Sequence, residues 1–109
     1  MKIIENLLQK AEQKGFASVN GRIIERDFGH VYKGDLQEKY SIKIIDNTLT
    51  FKHWGTVTLV VNLSENTIVE WYGESVSDRD SLNNLIDLLG IDGAFHYYPS
   101  KDLFTLEEN

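Results

Sequence analysis

GTVTLVVNLSENTIVEWYGESVSDRDSLNNLIDLL, residues 55–89, decides the fold. Its first part alternates: Val57, Leu59, Val61 and Leu63 are apolar, with Thr56, Thr58 and Asn62 among the residues between them. A period of two marks a strand with one buried face. Ser64-Glu65-Asn66 is a three-residue connection in which Asn66 tolerates positive φ, and a second strand runs from Thr67 until Gly73 ends the pattern. Setting Leu63 opposite Thr67 brings Val61 to Val69 and Leu59 to Trp71, so the apolar faces coincide. A slip of one residue destroys that match. A polar corner follows. Ser75 or Ser77 suits the cap of a helix over about 78–89, and Asp78 and Asp80 suit the positive end of its dipole. Leu82, Leu85, Ile86 and Leu89 recur at helical spacing, Gly90 is a stop, and Ile91 can fold back on the last turn.

The stretch before it, Tyr40 to Trp54, reads as another hairpin. A two-residue Asp46-Asn47 turn pairs Ile45 with Thr48 and sets Ile44 opposite Leu49, Ile42 opposite Phe51 and Tyr40 opposite His53. Those last six share one face, while Ser41, Lys43, Thr48, Thr50 and Lys52 face solvent. Beyond the helix, Asp92-Gly93 marks a turn. Pro99 to Asp102 then joins two strands that set Tyr97 against Phe104 and Phe95 against Leu106, with residues 107–109 expected to fray. At the start, Ile3, Ile4, Leu7, Leu8 and Ala11 lie on one side of a helix over 2–14, with Gly15 as its stop. Between, Asn20-Gly21 predicts a tight turn joining Phe16–Val19 to Arg22–Arg26, and Gly29 and Gly34 interrupt the segment Phe28–Lys33. Short or bulged strands are expected there. Every adjacent strand pair has a tight connection. The expected architecture is therefore α+β, a single domain over 1–109: a mainly antiparallel sheet of hairpins with an N-terminal helix and a second helix packed against it.

Charge divides the chain. The net charge is −6 over 109 residues, but Met1 to Ser64 holds nine bases against seven acids, and Glu65 to Asn109 holds two bases against ten acids. The acidic half is a poor match for nucleic-acid phosphates and a good one for a basic protein. Without cysteines, disulfides and thiolate zinc sites are excluded. No apolar run is long enough for a signal peptide or a membrane span, which reads as a soluble cytoplasmic protein with no membrane partner.

Several constellations invite a chemical reading. His30, His53 and His96 show no metal-ligand spacing, and burial with a hydrogen bond or a stacked ring is the simpler role for each. Gly73-Glu74-Ser75-Val76-Ser77 approaches a nucleophile elbow. Ser77 stands where glycine belongs, however, and the parallel sheet which that motif needs is not expected. Glu70, Glu74, Asp78 and Asp80 cluster around a strand end and a helix start, where acid–base or divalent-ion chemistry could use them; ordinary helix N-terminal acids explain them as well. Tyr32, Trp54, Tyr72 and Tyr98 are expected outward or on loops, beside acids, a combination common at protein interfaces.

At WYGESVSDRDSLNNLI, residues 71–86, the chain resembles small proteins of phages and mobile elements of Gram-positive bacteria. The resemblance covers about the central third and contains no chemical motif, so it transfers no functional residue. It implies an accessory protein acting on a host protein; small acidic phage proteins of this kind include inhibitors of nucleic-acid enzymes, anti-CRISPR proteins among them. The expected function is thus non-enzymatic and cofactor-free: occupation of a basic, nucleic-acid-binding surface of a host protein, in competition with phosphates. Glu70, Glu74, Asp78, Asp80 and Asp87 would supply charge, and Trp54, Tyr72 and Tyr98 apolar anchors. Two rivals stand beside it. One is a small metal-dependent hydrolase in which Glu70, Glu74, Asp78 and Asp80 converge with His53 or His96. The other is an immunity or homo-oligomeric regulatory module pairing through an edge strand such as 103–106.

Overall fold

Ile4, Leu7, Leu8 and Ala11 form the buried stripe of helix α1, Lys2–Lys14. Five strands follow: β1 (Phe16–Asp27), β2 (His30–Ile45), β3 (Thr48–His53), β4 (Thr56–Asn62) and β5 (Thr67–Trp71). Helix α2 (Val76–Leu88) leads to β6 (Ala94–Tyr98), a short helical turn and β7 (Leu103–Glu107). This computed structural model describes residues 2–108 except Phe28, without the side chains of Glu25, Arg26, Asp27 and Tyr32. The expectations for Tyr32 as an exposed aromatic and for Asn109 fall outside the described residues.

The fold is α+β. β1 to β5 form one antiparallel sheet in plain sequence order, and β6 and β7 form a separate two-stranded sheet. Both helices and both sheets bury side chains in one core. Its largest fully buried members include Phe51 and Phe95, with Ile4, Ile42, Leu49, Leu59, Leu82, Leu85 and Ile86. The sheet order needs no crossover, as expected when each strand meets its neighbour through a tight turn.

The β2–β3 hairpin has the expected register throughout, from Ile45 opposite Thr48 to Tyr40 opposite His53. Asp46 and Asn47 both have positive φ, 50° and 63°, as the primed two-residue turn requires. One residue of the solvent side departs. Ser41 is buried at the bottom of a groove whose walls include Phe16, Lys43 and Lys52. The final hairpin also keeps its register, with Tyr97 opposite Phe104 and Phe95 opposite Leu106, and Glu107 belongs to the strand rather than to a frayed end. Asn83 ties this hairpin to α2: its amide donates to the Phe95 carbonyl at 3.0 Å and its oxygen accepts from the Phe95 N–H at 2.7 Å.

The β1–β2 region corrects the sequence reading. Asn20-Gly21 is not a turn but lies inside the continuous β1, at a register shift between Val19 and Asn20. The glycine there is closely approached by side chains of two other segments. A Cβ on Gly21 would stand 3.0 Å from Lys39 Cδ and 3.3 Å from the Trp54 ring. The strands are long rather than short but bulged as expected, with register shifts at Val19/Asn20 and Arg22/Ile24, and β3 pairs only with residues 40–45 of β2. Beyond that point β1 and β2 continue as a two-stranded ribbon with Ile23, Ile24, Val31 and Leu36 exposed.

Two bulges rearrange the central hairpin. In β4, Phe51 pairs with Leu59 but Lys52 pairs with Val57, leaving Thr58 as the extra residue. Thr58 is therefore buried beside Leu59, and Val57, expected inward, is 37% exposed. In β5, Val61 meets Ile68 and Val60 meets Glu70, so Val69 is the extra residue and is 64% exposed. Leu59 still faces Trp71 as expected, because the second bulge restores the count. The loop is correspondingly Leu63 to Asn66, with Asn66 at φ 55°.

Helix α2 begins at Val76, two residues earlier than expected. Ser75 is its cap, with the hydroxyl accepting from the Asp78 N–H at 3.1 Å. At the other end Ile91 N–H bonds to Ile86 O and Gly90 N–H to Asp87 O, the paired bonds of a Schellman stop. No helix among the described residues is long and apolar enough to cross a membrane.

Candidate functional site

The strand-to-helix corner is built around Asp78. This residue was expected on a partner-facing surface; it is 6% exposed and belongs to the interior. The reason is its position as the third residue of α2. That place turns its side chain back over the helix start, where one carboxylate oxygen accepts from the Glu74 N–H at 3.0 Å. The other oxygen lies 2.7 Å from His53 Nδ1 at the end of β3. The Asp78 carbonyl accepts from the Ser81 hydroxyl at 3.1 Å, so one residue closes the first turn of α2 and joins it to the sheet.

Burial pushes the Asp78 carboxyl up. The His53 hydrogen bond, the Glu74 N–H, the His53 charge and the Ser75 hydroxyl outweigh it and hold the group below its ordinary value. Asp78 is therefore an anion at neutral pH and can only accept. His53 Nδ1 carries the proton of this hydrogen bond, and the tautomer with Nδ1–H is the one whose Nε2 holds a lone pair. Tyr40 stacks on the imidazole at 4.6 Å between ring centres, and Trp54 lies near parallel to it at 6.1 Å. Burial, then Asp78 and Asp80, raise the Tyr40 hydroxyl, with a smaller opposing effect from Ser81.

His53 Nε2 has no hydrogen-bond partner among the described residues, and neither does Thr58 Oγ1; both are shut off from the surface. Both residues line a cavity of about 130 Å³, with Trp54, Thr56, Tyr72, Glu74, Ser75 and Asp78 completing the wall. Trp54 has φ 50°. The other non-glycine residues described with positive φ are Asp or Asn, the types that tolerate it, whereas a bulky residue there is strained. Tyr72 donates from its hydroxyl to Glu74 Oε2 at 2.9 Å, and that bond, then the Glu74 charge, raises the phenol.

Of the other expected interface residues, Trp54, Tyr72 and Glu74 belong to this corner. Glu70, Tyr72, Glu74, Asp80, Asp87 and Tyr98 are exposed, and Trp54 is half-buried. Asp80 pairs with Arg79 at 2.9 Å. The four carboxylates Glu70, Glu74, Asp78 and Asp80 do not converge: Glu74 and Asp78 share the cavity, while Glu70 and Asp80 do not line it. Among the described residues no three His, Asp or Glu side chains are placed to hold a metal ion. His96 stands apart, 3.0 Å from Glu107.

Sequence reasoning placed His53 inward and Asp78 at the helix start, but did not join them, because they are 25 residues apart and meet only through the tertiary packing. Thr58 was missed outright. It sits in an alternating run as an outward residue, and only the bulge turns it in. Comparison with protein-family models, with curated proteins and with solved structures found no significant match.

Proposed function

We propose that this chain is a binding protein whose acidic side takes a basic protein partner. One observation carries the reading. Three open grooves surround α2 and the final hairpin, with volumes near 620, 390 and 600 Å³. They are lined by Asp80 and Asp87, by Glu74 and Asp102, and by Glu65, Asp92 and Glu108 respectively, with no lysine or arginine among the described lining residues. A surface of one charge with aromatic rings in it favours a basic, phosphate-binding surface. Tyr72 and Leu103, both exposed, stand in the middle groove and supply apolar contact.

The mechanism is competition: the partner's lysines and arginines meet carboxylates instead of phosphates, and the bulk of α2 blocks the approach of nucleic acid. The likeness of residues 71–86 to mobile-element proteins supports a narrower form, an inhibitor of a host nucleic-acid enzyme. Rim charges act chiefly through association rate and salt dependence. Affinity capture from a bacterial lysate is expected to retain a basic nucleic-acid-binding protein that elutes as salt is raised. Asp80→Lys with Asp87→Lys is expected to weaken that capture by roughly tenfold or more. Retention of no basic protein, or retention indifferent to salt and to the double variant, would refute the reading.

A further inference from the structure

The cavity at His53 does not belong to the open acidic grooves, and its chemistry is more specific than theirs. Its floor is His53 and Thr58, which are 6% and 1% exposed. Its mouth holds Thr56 and Glu74, which are exposed. Each orphaned polar atom on the floor is a buried group that a bound donor would satisfy. Valine, which has almost the same shape as Thr58, would leave no such group there. A volume of 130 Å³ holds about four waters, or the last few atoms of a long side chain.

The lining selects the sign of the ligand. Glu74 and Asp78 bring two carboxylates, and no lysine or arginine is present among the lining residues. The helix N-terminus would ordinarily attract an anion, but Asp78 and Ser75 already answer it. Tyr72 adds an aromatic ring, whose face attracts cations, and the Trp54 ring already carries one, with Lys39 Nζ 5.9 Å from its centre. For donors there are three acceptors: the lone pair that the His53 Nδ1–H tautomer places on Nε2, the Thr58 hydroxyl oxygen, and the Glu74 oxygen that Tyr72 leaves free. A primary ammonium has three N–H groups and no acceptor. A metal ion is a poorer match, since three convergent ligands are not assembled among the described residues.

We infer that this cavity binds a primary ammonium group on an unbranched aliphatic stem. The ammonium donates to His53 Nε2, Thr58 Oγ1 and Glu74, and the stem passes out between Trp54 and Tyr72. Trp54, in its costly left-handed conformation, is part of the cavity wall and lies near parallel to the His53 ring. Two sources share this chemistry, a lysine side chain of a polypeptide and a free amine.

The test is a titration of the intact protein, following the His53 ring nitrogens by NMR. The probes are Nα-acetyl-lysine methylamide, the same molecule acetylated on Nζ, and n-butylamine. The lysine amide is expected to move the Nε2 signal saturably, and the Nζ-acetylated control to leave it unmoved. Glu74→Gln and Thr58→Val are each expected to weaken binding about tenfold or more through loss of a bond to a charged donor. Thr58→Val also removes an unpaired buried hydroxyl, so its thermal midpoint should stay level or rise, which separates lost binding from lost folding. Lysine amide tighter than butylamine assigns the site to a polypeptide; the reverse assigns it to a free amine. No saturable shift, a cavity holding water only, an equal response to the acetylated control, or indifference to both variants would overturn the site. The Asp80→Lys, Asp87→Lys double variant lies outside the cavity and should keep the lysine amide while losing the basic partner, so the two readings fail separately.

Discussion

Asp78→Ala is expected to destabilise the protein by about 3–5 kcal/mol, a large part of the total stability of a domain this size. The loss has three parts that a single truncation imposes together. His53 Nδ1 loses its acceptor inside the core, the Glu74 N–H loses the oxygen that satisfies it, and the first turn of α2 loses its anion. Urea unfolding followed by circular dichroism measures it, and a loss below about 1 kcal/mol would mean that the pair does not hold the corner together. Asp78→Asn should cost less, since its oxygen can still accept from His53, but its amide would then face the Glu74 N–H donor to donor. The pair also sets an acid limit. The Asp78 carboxyl titrates lower in the fold than its ordinary value of 3.8, so its contribution is complete above that value and is lost as pH falls through the lower folded value. The stability difference between wild type and Asp78→Asn should be flat above about pH 5 with respect to this group and should narrow below about pH 4.

Gly73→Ala is the second large effect, by a different physical route. A Cβ at this position would overlap three carbons of the Phe104 ring, all nearer than 3.0 Å. Phe104 cannot leave freely, because its ring packs against Trp71, Phe95 and Tyr97 at centroid distances of 6.0, 6.0 and 5.8 Å. Moving it pulls the β6–β7 hairpin off the sheet end. The expected cost is about 1–3 kcal/mol, a fall in thermal midpoint of roughly 4–8 °C per kcal/mol. Phe104→Leu placed in the Gly73→Ala background should recover part of the loss, and a double-mutant cycle without coupling would refute the clash.

Legibility from sequence followed the range of the interactions involved. The β2–β3 and β6–β7 registers were readable because turn chemistry and alternation agree there: Asp46-Asn47 accepts positive φ at both residues, and the inward residues fall on one face. The stop of α2 was readable through Gly90, whereas its start was left between Ser75 and Ser77 and lies two residues earlier than expected. Asn20-Gly21 misled because its dipeptide signal is local, while the demand on Gly21 comes from Lys39 and Trp54, far along the chain. The bulge at Val69 was invisible because it cancels the slip of a loop one residue longer than expected and leaves Leu59 facing Trp71 as in an unbroken ladder, and the bulge at Thr58 interrupts a different ladder, β3–β4, inside an otherwise regular alternation. The corner at Gly73–Asp80 was recognised as important, but as a surface. Its interior side depends on a histidine from another hairpin and on a threonine that a bulge turns inward.

The ribbon formed by the far ends of β1 and β2 alters how the molecule moves through solvent. A compact chain of this length has a radius of gyration of about 13 Å, whereas this one has 14.8 Å and extents of 49 × 34 × 20 Å. Its drag and rotational correlation time should therefore exceed those of a sphere of 12.5 kDa. An early gel-filtration peak is expected from a single copy. Elution volume alone does not distinguish an elongated single copy from a compact dimer, so mass must come from light scattering or sedimentation equilibrium.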